Sequence, residues 1–169
     1  GDAAENADEA VALAARAMRL APDDPRVLAY SGSAYSFAGR SAQGIDCLER
    51  SLDINPNNGL TRLYYGAALR VAGRPEAGLK QLDMFLRLSP KDPNAGLAYF
   101  HQAFCHLLLN DFQQAEQSAR KAVKLMPGAG SQYIPLAFSL AGLGHMEEAQ
   151  QQIRKAREAT PAMTRQGIE

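Results

Sequence analysis

The feature that most constrains this chain is a proline that returns at a near-constant interval: Pro22, Pro56, Pro90, Pro127 and Pro161 are separated by 34, 34, 37 and 34 residues. A column of small residues, Gly32, Gly66, Ala103 and Ala137, keeps the same spacing of 34, 37 and 34. So does a column of turn-formers, Gly39, Gly73, Asn110 and Gly144. Three columns of different chemistry agree on one repeating segment.

The segment Gly59 to Pro90 shows what repeats. Leu63, Gly66 and Leu69 fall at three-residue steps on one helical face, and Gly73, Arg74 and Pro75 then break the chain. Pro75 suits the first turn of a new helix, where the missing N–H has no partner to lose. Leu79, Leu82 and Leu86 form the apolar face of that second helix, and Pro90 closes it. One repeat reads as helix, tight turn, helix, stop.

With these columns the chain resembles the tetratricopeptide repeat (TPR) family, whose period is about 34 residues. The family places a small residue in the first helix, an alanine early in the second and a proline at the close. The alanine column is Ala10, Ala115 and Ala149, with Gly44 and Gly78 departing from it. The later small column reads Ala17, Ser51, Phe85, Ala122 and Ala156, where Phe85 is the departure. Both departures are expected to loosen local packing.

The resemblance implies an all-α fold, a right-handed superhelical solenoid of antiparallel helix pairs over residues 1–169. A half repeat at 1–22 is followed by complete repeats at 25–56, 59–90, 93–127 and 130–161, with a truncated cap at 162–169. Nine main helices and no strands are expected. In the half repeat Asn6 is the expected N-cap. The third complete repeat has three extra residues before its small column. That is close to one helical turn, so a lengthened first helix from about Pro93 to Leu109 is predicted, with a lengthened loop as the alternative. The opening segment matches only a second helix, so the chain reads either as cut from a longer protein or as beginning with an atypical cap. Gly1 is read as a scar of tag removal.

Eighteen basic and eighteen acidic side chains give a formal net charge of zero. That balance argues against a broad electrostatic grip on nucleic acid or on an anionic membrane. No apolar run reaches the roughly 18 residues that a membrane-spanning helix needs, and no signal peptide opens the chain. Cys47 and Cys105 each sit among apolar neighbours inside a helix and are read as buried free thiols in a reducing, cytoplasmic setting. A disulfide between them would require Cα atoms within about 7 Å.

No catalytic residue, metal site or cofactor is identified. His101 and His106 are five apart, which does not place both on one helical face, and His145 is in a distant turn. Glu147 and Glu148 are adjacent acids in a first helical turn, as the helix dipole favours. Gly128, Ala129 and Gly130 follow a helix rather than a strand and read as a linker turn. The sequence offers no sign of an enzyme.

What remains is surface. In the family, the first helices line an inner wall that binds extended or helical peptides. Carried over column by column, that wall includes Arg26, Ala29, Tyr30 and Ser33, then Leu63, Tyr64, Ala67 and Arg70. The later helices add Phe100, His101 and Phe104, then Ile134 and Phe138. The lysine and asparagine with which chaperone-binding members clamp a terminal carboxylate are replaced here by Ala29 and Ser33, Tyr64, Leu97 and His101, so that activity is not implied. Aromatic groove residues suit apolar anchors of a peptide or protein partner, and Arg26 and Arg70 suit an acidic or phosphorylated one. Apolar residues at the ends, including Val11, Leu13, Met18 and Ile153, lead to an expected weak self-association through the termini.

The segments SPKDP, NDFQQAEQSARKAVKLMP and GLGHMEEAQQQIRKAREATP also look like the C-terminal repeat array of bacterial multidomain signalling proteins. In those proteins the array follows a class III adenylate/guanylate cyclase domain or a winged-helix regulator domain. This second resemblance implies either a scaffold attached to a signalling enzyme or a ligand-sensing module of a cyclase or transcription regulator.

Overall fold

A left-handed residue sets the turn inside each of the four helix pairs of this protein. The computed structural model describes residues 2–159. Among them are nine α-helices and no strand, in two compact units that part between Pro90 and Lys91. The N-terminal unit holds α1 (Asp2–Leu20), α2 (Pro25–Phe37), α3 (Ser41–Ile54), α4 (Gly59–Val71) and α5 (Pro75–Leu88). The C-terminal unit holds α6 (Ala95–Leu108), α7 (Phe112–Leu125), a short 3-10 turn (Gly130–Gln132), α8 (Tyr133–Gly142) and α9 (Met146–Ala159). The expected cap at 162–169 and the last two residues of the final repeat lie outside the described residues.

Each pair is closed by the same turn. Gly39, Gly73, Asn110 and Gly144 all have positive φ, at 78°, 73°, 58° and 85°. The amide after each one reaches back five residues: Arg40 N–H to Tyr35 O and Arg74 N–H to Leu69 O at 2.8 Å, Asp111 N–H to His106 O and His145 N–H to Leu140 O at 2.9 Å. This is the helix-ending motif that needs a left-handed residue just past the last turn, which glycine supplies without steric cost and asparagine tolerates. The turn column of the sequence is therefore a column of backbone conformation.

Helix starts are equally local in origin. The Asp24 carboxylate accepts the N–H groups of Arg26 at 2.8 Å and Val27 at 3.3 Å, with Pro25 in the first turn. Those amides hold the Asp24 carboxyl below its usual range. Asn58 caps Thr61 N–H at 3.2 Å, and Asp111 caps Gln114 N–H at 3.1 Å. Asn6, by contrast, lies inside α1, which already runs from Asp2.

The three extra residues of the third repeat go mainly into the connection. α6 has 14 residues against 13 in α2 and α4, and starts at Ala95 rather than Pro93. The Asp92–Pro93 signal does not cap the helix as Asp24–Pro25 does. Asp92 instead accepts Asn94 N–H at 2.8 Å and Ala95 N–H donates to Asp92 O at 2.9 Å, which folds residues 92–95 into a turn of their own. The lengthened-loop alternative accounts for most of the insertion.

Pairs close because their facing residues complement each other in volume. A Cβ on Gly32 would lie 2.6 Å from Leu48 Cγ, and one on Gly66 the same distance from Leu82 Cγ. In α6–α7 the equivalent residues are Ala103 and Ala119, both fully buried in one core cluster. In α6–α7 the first helix gains a methyl and the second gives up a leucine. The Phe85 departure is accommodated in the same way. Its ring is 1% exposed and lies against Gly59, which stands where the preceding repeat has Pro25, so packing there is not loosened. In the N-terminal unit α1 buries Val11 and Ala14 with Leu28, Tyr35 and Cys47. Cys47 and Cys105 are buried and form no disulfide, and burial pushes the Cys47 thiol up.

Candidate interaction surface

Within the N-terminal unit α2 packs beside α4, so the two first helices present neighbouring faces. Tyr30, Ser33 and Phe37 follow i, i+3, i+7 along α2, and Tyr64, Ala67 and Val71 repeat them 34 residues later on α4. The Tyr30 and Tyr64 rings stand 5.8 Å apart at a tilt of 55°. Tyr30 is 57% exposed, whereas Tyr64 is half-buried and its hydroxyl pKa is raised by burial, with Tyr30 adding to the effect.

Two openings flank this aromatic pair. One is a narrow apolar notch between α2 and α4, with Phe37, Tyr64 and Val71 as walls and Ala67 and Ala68 as floor. The other is a cleft of about 450 Å³ between α1 and α2, where Asn6, Ala7 and Ala10 face Tyr30, Ser33 and Phe37. Ser33 and Phe37 border both. Phe37 is 69% exposed and Val71 46%, large for apolar side chains with no covering element.

Neither Phe37 nor Val71 was among the residues predicted from the sequence. The available signal was their place in the 34-residue register, one turn beyond Ser33 and Ala67, which Leu108 continues on α6 at 55% exposure. Other predicted wall residues face inward. Ala29 and Leu63 are 0% exposed and His101 is 4%, so none of the three reaches a ligand. The physical reason is helix rotation: the step from Ala29 to Tyr30 turns the side chain about 100° and takes it from the packed face to the open one.

Arg26 is exposed and pairs with Asp24 at 3.4 Å, and Arg70 is half-buried. In the C-terminal unit Phe100 stacks edge-on against Phe104 at 5.0 Å and His101 at 5.2 Å, with both phenylalanines half-buried. Phe138 is 54% exposed on a separate cleft of about 450 Å³ between α8 and α9, lined also by Met146, Ile153 and two arginines, Arg154 and Arg157. Among the described residues no three His, Cys, Asp or Glu side chains are placed to hold a metal ion, and no helix is long and apolar enough to cross a membrane.

The sequence profile of the tetratricopeptide repeat matches residues 26–58 and 97–128. These segments hold all but the first residue of α2–α3 and most of α6–α7. No curated protein matches the chain in sequence. Among solved structures, MamA aligns over 94% of this chain and 91% of its own at 18% identity and a TM-score of 0.71. MamA from Desulfovibrio magneticus RS-1 aligns over 97% and 98% at 18% identity and 0.72. A mutant MamA aligns over 92% and 89% at 26% identity and 0.65. The profile places the repeat in two of the four helix pairs, the turns and packing columns recur in the others, and the chain is accordingly an all-α protein of tetratricopeptide-repeat fold.

Proposed function

We propose that this protein is an interaction scaffold which holds a peptide or partner domain on the first-helix face of its N-terminal unit. Phe37 carries the reading: a mostly exposed aromatic on the lip of both openings is costly to leave in water and well placed to pack on an incoming apolar side chain. Each such side chain contributes about 1.5–3 kcal/mol when fully buried. Association and ordering costs offset much of that gross gain, so micromolar affinity is expected. Tyr30, Ser33, Tyr64 and Val71 complete the surface. Phe100, Phe104 and Phe138 supply apolar contact in the C-terminal unit.

A peptide-library pull-down with the intact chain and its Phe37→Ala variant tests this. Specific peptides retained by the parent and lost from the variant support it, and equal retention by both overturns it. On the C-terminal sequence resemblance, the scaffold belongs to a larger cytoplasmic signalling protein of bacteria, beside a cyclase or winged-helix domain. The α1–α2 cleft, at about 450 Å³, is within the size range of small-molecule sites. That favours a second reading in which a small apolar signal is sensed there. Weak self-association through α1 and the α8–α9 cleft is a further element of the proposal, and sedimentation at rising concentration measures it.

A further inference from the structure

The α8–α9 cleft has an apolar end and a basic end. Its lining on α9 runs from Met146 through Ala149 and Ile153 to Arg154 and Arg157, one continuous helical face, and α8 adds Phe138. Phe138 and Met146 are 54% and 55% exposed. Both arginines are exposed, and among the described residues no carboxylate pairs with either. None of the acids on α9 lines the cleft, and Glu148 is held by Arg120 at 3.6 Å. The occupant that complements this surface is a helix whose exposed face carries carboxylates at one end and apolar groups at the other.

Such a face is present on α1. This helix buries Val11 and Ala14 and turns Glu5, Asp8, Glu9, Ala12 and Leu13 outward, with Leu13 58% exposed. The spacings of the two faces agree. Glu5 and Asp8 are three residues apart, as are Arg157 and Arg154, and Leu13 lies five beyond Asp8, as Ala149 lies five before Arg154. With the helices antiparallel, Glu5 comes opposite Arg157, Asp8 opposite Arg154, and Leu13 over Ala149, whose single methyl leaves room for a leucine beside Phe138 and Met146. In the parallel sense Arg16 and Arg19 would fall at the arginine end instead, like charge against like.

We propose that the α8–α9 cleft takes α1 of a second copy of this chain, laid antiparallel to α9. The inference rests on the self-association reading above and gives it a polarity and a register. The two surfaces differ, so each copy offers one helix and one cleft, and the contact is head-to-tail. Exposed ion pairs contribute little individually. The apolar contact of Leu13 therefore holds the copies together, and the charges select the orientation.

Sedimentation velocity on the full chain at rising concentration tests it, with two charge-reversed variants, Glu5→Lys/Asp8→Lys and Arg154→Glu/Arg157→Glu. All four positions are exposed, so helicity by circular dichroism should be unchanged. The parent is expected to associate more tightly at low salt than at high salt. Each variant alone, with like charges across the contact, should associate about tenfold or more weakly. An equimolar mixture of the two should regain the parent's association, because each variant's helix then meets a cleft of opposite charge. Leu13→Gln should weaken association at both salt concentrations. Variants that associate as the parent does, or a mixture as weak as its components, overturn this docking while leaving self-association through another surface. A parent that is monomeric at every concentration overturns both, and leaves the peptide reading of the Phe37 face standing.

Discussion

The Ser51 hydroxyl donates to the Pro25 carbonyl oxygen at 2.7 Å, tying the last turns of α3 to the first residue of α2. Thr61 Oγ1 lies 2.9 Å from the same hydroxyl oxygen. With the single Ser51 proton given to Pro25, Thr61 must be the donor to Ser51. Three helices, α2, α3 and α4, thus meet at one residue that is 0% exposed. Ser51→Ala strands the buried Thr61 hydroxyl and should cost about 1–3 kcal/mol. Thr61→Val added to it should cost little more than Ser51→Ala alone, since the two act as one network. Urea denaturation of the four members of the cycle measures both. Strict additivity would show that the contact contributes nothing as a unit.

Phe37→Ala separates function from folding. The side chain is largely exposed, so thermal stability should stay within about 0.5 kcal/mol of the parent. Binding of a true groove ligand should weaken by more than about 1 kcal/mol. Calorimetry of unfolding and of binding gives the two numbers. A large loss of stability would mean that the ring is structural.

Gly44 stands where the family places alanine, and restoring that alanine should destabilise the protein. A Cβ there would lie 2.0 Å from Ser36 Oγ and 2.6 Å from Gly32 O, the latter a backbone atom that cannot swing away. Gly44→Ala forces α2 and α3 apart and should cost about 1–3 kcal/mol, offset in part by the better helix propensity of alanine. An increase in the denaturation midpoint would show that the helices separate at no cost.

The Tyr65 hydroxyl donates to Glu49 Oε1, and burial, reinforced by that carboxylate, pushes its pKa up to about 12 from an ordinary value of 10. The native state therefore holds this proton after the unfolded chain has released it. Stability from this group is fully present below pH 10 and falls as the pH rises from 10 towards 12. Tyr65→Phe should flatten the alkaline limb of the stability profile relative to the parent. Parallel limbs for the two proteins would exclude the linkage.

The local structure was legible because it is set by short-range chemistry. Asp24–Pro25 specifies a helix start, and Gly39, Gly73, Asn110 and Gly144 specify left-handed turns, whatever the chain packs against. The same Asp-Pro signal at Asp92–Pro93 shows the limit. Its carboxylate caps a turn at Asn94 instead of the helix, and the choice between those two bonds is not written in the dipeptide.

Repetition at fixed spacing determined which helices exist, how they pair and where small residues must face a neighbour, because each repeat meets the same steric demand. Only the tertiary structure decided which wall residues remain open. Ala29 and Tyr30 are adjacent in sequence and both assigned to the inner wall, yet one is 0% and the other 57% exposed. A residue's burial depends on the angle at which its helix meets the next, and that angle is set jointly by both partners' side-chain volumes, Gly32 against Leu48 or Ala103 against Ala119. The apolar face of Phe37 and Val71 exists for that reason, and no single helix sequence contains it.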